Sequence, residues 1–272
     1  MNGALHLRLA LCLAFAFAIF APARAQTQDA SGSALESPAR PEIEKMIKES
    51  GAEVTVAYRS LDGSHQLFIA PDEPYDDRDA LRIPVMIELY AQADEGMLSL
   101  TDNAPPIGPN GTTTGPPVTL RDLCEDMIVN SSDPATNRLI ALLGIENIRQ
   151  RVNSLGASGM SVGAPFPSNP GNHTTARALF ILLFGLATEQ VVGSDATKEM
   201  VDMLSRSPIH ASPTFPSGPV TPKAMEAGTV HDAVIIFGAR SFVFVIEVRG
   251  MPDSTAAATL LAKITKALSD SA

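Results

Sequence analysis

The stretch YDDRDALRIP, Tyr75 to Pro84, is the one from which the rest of the chain is best read. It sets Asp79 and Arg82 three residues apart, just ahead of an apolar run that continues as PVMIELYAQADEGMLSL. Proline is tolerated in the first turn of a helix, so Asp79 falls near a helix N-terminus, where backbone amides and the macrodipole favour a carboxylate. At that spacing an aspartate and an arginine meet on one helical face and form an ion pair. If partly buried, the pair stabilises the fold only when both partners are present. The residues by themselves therefore read as a structural ion pair.

Outward from this stretch the chain alternates between two patterns. A helix is expected from about Pro41 to Ser50, with Gly51 beyond its end. Val54, Val56 and Tyr58 alternate into Asp62-Gly63 and return over Gln66 to Ile69, a hairpin signal. A second hairpin joins Ala233–Phe237 to Phe242–Val248, and an amphipathic helix from about Ser254 to Leu268 closes the chain. The middle is helical: Thr119 with Asp122 caps a helix through Val129, Asp133-Pro134 opens the next, which Gly144 ends, Thr174 or Thr175 starts another through Ala187, and Asp195 to Arg206 gives one more. Residues 102–118 and 156–171 read as loops. The expected class is α+β, an antiparallel sheet built from both chain ends, flanked by N- and C-terminal helices, beside an all-α part. The α/β part spans about 41–75 and 210–272, the all-α part about 76–209.

Residues 1–25 read as a secretory signal peptide: Arg8, an apolar run from Leu9 to Phe20, and the small-x-small site Ala23-Arg24-Ala25. Cleavage near Ala25 would leave a flexible leader over 26–40 and place the protein in a bacterial periplasm or outside the cell, with no membrane span. Removing Arg8 and Arg24 leaves 18 basic against 30 acidic residues, a net charge of about −12. Such a charge disfavours nucleic acid, which is bound by clustered Lys and Arg. Cys124 shares a helical face with Leu120, Leu123, Met127 and Ile128, and reads as a small buried hydrophobe. His65, His173, His210 and His231 lack metal-ligand spacing, and His231-Asp232 reads as a turn before a strand. Neither a metal nor another cofactor is implied. Sequons at Asn110, Asn130 and Asn172 matter only in a eukaryotic secretory pathway.

Five stretches in order resemble the class A β-lactamases and their penicillin-binding serine transpeptidase relatives. YDDRDALRIP resembles the family's aromatic-led S-x-x-K and hydrophobic-Pro step, and PVMIELYAQADEGMLSL its central helix. MIVNSSDPATNRLIALLG resembles M-I-x-x-S-[DS]-N-x-A-x-N. NHTTARALFILLFGL with SDATKEMVDMLSRS resembles the segment after the omega loop and the helix beyond it. VTPKAMEAGTVHDAVIIFGARSFVFVIEVRG resembles the active-site strand and its neighbours, with Lys223-Ala224-Met225 in place of K-T-G. The resemblance covers nearly all of the mature chain and implies that fold.

The same resemblance implies a changed chemistry. In the family a serine hydroxyl, activated by a neighbouring base, attacks a lactam carbonyl. Asp79 stands at the serine and Arg82 at the lysine; a carboxylate has no hydroxyl proton to give up, and guanidinium does not act as a base near neutral pH. The water-activating omega-loop glutamate is missing too, since 147–188 contains no Asp or Glu. Ser131 matches the second catalytic serine and Asp133 stands where asparagine is expected, a carboxylate with a ready role as a helix cap. Ala224 and Met225 remove a hydroxyl and fill the space that glycine leaves at the strand edge. Asp79, Arg82, Ser131, Asp133 and Lys223 are thus motif positions without their usual roles, and only Ser131 and Lys223 are left as ligand-binding candidates. The expected function is a secreted pseudoenzyme that binds a peptidoglycan-like or β-lactam molecule or a protein partner. The alternatives are a β-lactamase with a non-standard nucleophile, for which Ser131 lacks an obvious base, and a structural envelope protein with a collapsed pocket.

Overall fold

The computed structural model describes residues 34–104, 117–207, 210–212, 223–226, 228–238 and 240–271, of which 210–212 and 223–226 by their backbone. The expected signal peptide, most of the leader, the Asn110 sequon and most of the 102–118 loop lie outside the described residues.

The long strands belong to the two expected hairpins. Strands β2 (Glu53–Ser60) and β3 (His65–Ile69) pair antiparallel, and β2 continues onto β9 (Phe242–Arg249), which pairs with β8 (Thr229–Ile236). The order is β1-β3-β2-β9-β8, with β1 (Leu35–Glu36) parallel to β3. The outer edge of β8 is shared: β7 (Lys223–Glu226) runs antiparallel along its start and β6 (His210–Ser212) parallel along its end. A separate two-residue pairing joins β4 (Pro74–Tyr75) to β5 (Thr174–Thr175).

Alternation along the strands gives the sheet two buried faces. Val54, Val56, Tyr58, Val234, Phe244 and Ile246 pack beneath helices α1 (Arg40–Ser50) and α8 (Ser254–Ser271), to which α8 contributes Leu260, Leu261, Ile264 and Leu268 at helical spacing. On the opposite face Ala57, Ala233, Ile235, Val243 and Val245 join a larger core with the helices of the chain's middle. These are α2 (Ile83–Asp94), α3 (Leu120–Val129), α4 (Asp133–Leu143), α5 (Ile145–Ser154), α6 (Ala176–Ala187) and α7 (Ser194–Ser205). A fully buried Leu, Ile or Phe contributes roughly 1.5–3 kcal/mol, and both cores hold many. The fold is α+β, as expected.

The local signals hold at several ends. The Thr119 hydroxyl accepts from Asp122 N, the Thr175 hydroxyl accepts from Ala178 N, and Gly144 ends α4. Two expectations are corrected. The cap of α4 is Ser132, whose hydroxyl accepts from Ala135 N, which releases the Asp133 side chain for another partner. His231 and Asp232 are interior residues of β8, both buried, not a turn before it. Cys124 is fully buried in α3, and burial pushes its thiol well above the usual range. A maleimide should therefore label it only on unfolding; labelling of the native protein at the rate of a free thiol would contradict this.

Candidate functional site

The site forms where three segments meet at the base of α2. A 3-10 turn, Ala80–Arg82, precedes α2 and is started by the buried Asp77, whose Oδ1 accepts from Asp79 N at 3.0 Å and Ala80 N at 3.2 Å. This turn buries both Asp79 and Arg82, the latter 3% exposed. The α3–α4 connection supplies Ser131, held at φ 54, a left-handed conformation uncommon for serine, and Asp133 opens α4. The 156–173 loop supplies Phe166, clamped from both sides by Asn137: its N donates to Asn137 Oδ1 at 2.8 Å and its carbonyl accepts from Asn137 Nδ2 at 2.7 Å.

Arg82 joins these segments. Its Nη1 donates to Asp79 Oδ1, its Nε to Thr136 Oγ1 at 3.2 Å, and its Nη2 to both the Ser131 carbonyl at 2.9 Å and Asp133 Oδ1 at 2.5 Å. The Phe166 ring covers it, with the guanidinium carbon 4.9 Å from the ring centroid. Burial draws the guanidinium below its ordinary value and the Asp133 carboxylate opposes that. The planar fork is what permits this, since one ammonium does not reach four acceptors in such an arrangement. Asp79 also accepts from the Ser131 hydroxyl at 2.8 Å.

Four of the five motif positions are therefore brought together: Asp79, Arg82, Ser131 and Asp133. Lys223 lies on β7 in register with His231, and Ala224 with Val230; the ladder shifts between Ala224 and Glu226, so Met225 sits at a bulge. The side chains of these three residues lie outside the described set. The expected Asp79–Arg82 ion pair is present, and Asp133 completes it as a second carboxylate. Chemically the centre is a desolvated charge cluster with its donors engaged. Its accessible groups are at the rim, the half-buried Ser131 and Asp133, whose side chain is 40% exposed.

Sequence reasoning missed Thr136, Phe166 and Asp77. Asn137 was within reach, since it is the last letter of the quoted S-[DS]-N-x-A-x-N pattern. Phe166, one apolar residue in a loop rich in Gly, Pro and Ser, carried no signal.

Sheet, helices and topology together give the chain a β-lactamase/transpeptidase architecture. The chain belongs to the beta-lactamase enzyme family, whose model matches residues 38–272. Similar solved structures include PBP-A, 16% identical with a TM-score of 0.71, covering 87% of this chain and 97% of that one. A β-lactamase of Sphaerobacter thermophilus is 20% identical, TM-score 0.67, covering 84% and 94%. One of Chitinophaga pinensis is 17% identical, TM-score 0.69, covering 85% and 98%. A PBP-A variant was solved as an acyl-enzyme complex with penicillin G. No curated protein matches this chain.

Proposed function

We propose that this chain is a catalytically inactive member of its family, a secreted binding or scaffolding module of the cell envelope. The observation that carries the reading is the occupancy of the reactive position. The group at the nucleophile site is a buried carboxylate bonded to Arg82 and Ser131, and the group at the base site is a guanidinium that holds its proton. A carboxylate attacking a lactam carbonyl would form a high-energy anhydride. Ligand recognition falls to Ser131 at the rim and to Lys223 of β7, the latter a cation suited to a ligand carboxylate such as that of a peptidoglycan-like fragment or a β-lactam. The apolar N-terminal run with its small-x-small site supports export, and no helix among the described residues is long and apolar enough to cross a membrane.

One observation favours a second reading, a hydrolase acting through Ser131. Its hydroxyl donates to Asp79 at 2.8 Å, so the chain holds a base candidate that sequence reasoning did not find. There Ser131 Oγ would attack the lactam carbonyl, its proton passing to Asp79 and then to the departing nitrogen as the C–N bond breaks. Against this, Arg82 bonds the same Asp79 oxygen and weakens it as a base.

Incubation with a fluorescent penicillin, read by intact-protein mass, separates the two. The unchanged mass is the expected result at all times sampled. An adduct that disappears in Ser131→Ala would end the inactive reading, and release of the ring-opened penicillin from it by water would establish the hydrolase one.

A further inference from the structure

Behind the Asp79 turn lies a row of buried polar side chains that the proposed function does not use. Register places Thr55 of β2, Glu247 of β9 and His231 of β8 side by side across the sheet, and the backbone of β7 continues the register at Lys223. Thr55, Glu247 and His231 are each 2% exposed, and Asp77 and Tyr75 are buried against them, the Tyr75 and His231 rings 6.4 Å apart. Asp77 is the tie: while Oδ1 holds the Asp79 and Ala80 amides, Oδ2 lies 3.0 Å from His231 Nε2. One carboxylate thus fastens the turn that carries Asp79 to the strand on which β7 is paired.

Glu247 is the unusual member. Its Oε2 is buried without a hydrogen-bond partner among the described residues, and Arg249 Nε, at 3.7 Å, is beyond hydrogen-bond reach. We propose that Glu247 is the proton-operated element of a latch that holds the Asp79 turn against β8. With Glu247 protonated, Asp77 is left as the anion beside His231 and the acceptor for the two amides. With Glu247 ionised, a second negative charge in the same dry row repels Asp77 and draws on the same His231, so the grip on the turn weakens. Burial pushes the Glu247 carboxyl up to about 7; Arg249 and His231 pull it down, and Asp77 and Glu53 push it up. Tyr75, whose hydroxyl finds no hydrogen-bond partner among the described residues, and Thr55 complete the groups facing it from β4 and β2, and Lys223 is the charged residue in register on β7.

The test is amide hydrogen exchange by NMR between pH 6 and 8.5, corrected for intrinsic rates. Protection of the Asp79 and Ala80 amides should fall roughly tenfold in the wild type relative to the α2 amides of Ile87 and Leu89, a loss equivalent to about one pKa unit. In Glu247→Gln the ratio should stay flat, and Glu247→Met should behave alike if the amide disturbs packing. Three results overturn the latch: a flat ratio in the wild type, an equal fall at Ile87 and Leu89, or an unaltered fall in both variants.

Discussion

Replacing Arg82 by methionine is expected to destabilise the protein by about 3–5 kcal/mol, because it strands the carboxylate of Asp79 in the interior. Asp79 is 6% exposed and would keep the Ser131 hydroxyl while losing its countercharge. Asp133 suffers less, since its side chain is 40% exposed and water replaces the lost partner. The same change removes the donor to Thr136 and to the Ser131 carbonyl, and the cation from beneath Phe166. Urea denaturation at neutral pH measures the loss, and the double variant Asp79→Asn with Arg82→Met locates it. The double variant should recover at least about 1 kcal/mol of what the single change forfeits, since no buried charge then stands alone. A single-variant loss below about 1 kcal/mol would mean that the cluster does not brace the turn. The double change Asp79→Ser with Arg82→Lys is expected to yield no efficient penicillin turnover, since 147–188 still holds no acid and the lysine inherits a pocket shaped for a fork.

That cluster also marks the limit of what the sequence conveys. Helix caps and hairpin turns are local, and Thr119, Thr175, Gly144 and both hairpins were readable because each signal and its effect lie within a few residues. Asp79 and Arg82 were readable as an ion pair for the same reason. The third arm, Asp133, is 51 residues from Arg82, and its local role as a helix cap looked sufficient; Ser132 takes that role and frees it. Helix α5 escaped notice because it begins at the glycine that ends α4 and buries just Ile148 and Val152, a narrow stripe. Strand β8 was read four residues short because a histidine and an aspartate interrupt its apolar alternation. The sheet accepts them because each faces a different buried layer: His231 meets Asp77, while Asp232 enters the layer under α8.

Asp232 carries the second large effect. It lies on the β8 face with Val230, Val234 and Ile236, opposite Ile246 of β9, where an ionised carboxylate has little to solvate it, and its Oδ2 is buried without a hydrogen-bond partner among the described residues. Burial pushes its carboxyl up to about 7, against the pull of His231 and of the Ala233 amide. The native protein therefore keeps a proton that the unfolded chain releases above its ordinary value of 3.8, so stability from this group is fully present below pH 3.8 and is lost as pH rises through about 7. Glu247, raised to about 7 as well, acts in the same direction. Asp232→Asn keeps the shape and removes the titration, so at pH 8 it should stabilise the protein by on the order of 3 kcal/mol, or roughly 5–10 °C in Tm. The gain should shrink as pH falls toward 4, where the native carboxyl is neutral and the unfolded one is close to its own midpoint of 3.8. Thermal melts of wild type and variant from pH 4 to 8 decide the matter: parallel curves, or a variant less stable at pH 8, would show that Asp232 is satisfied as an anion and that β8 carries it at no cost to the fold.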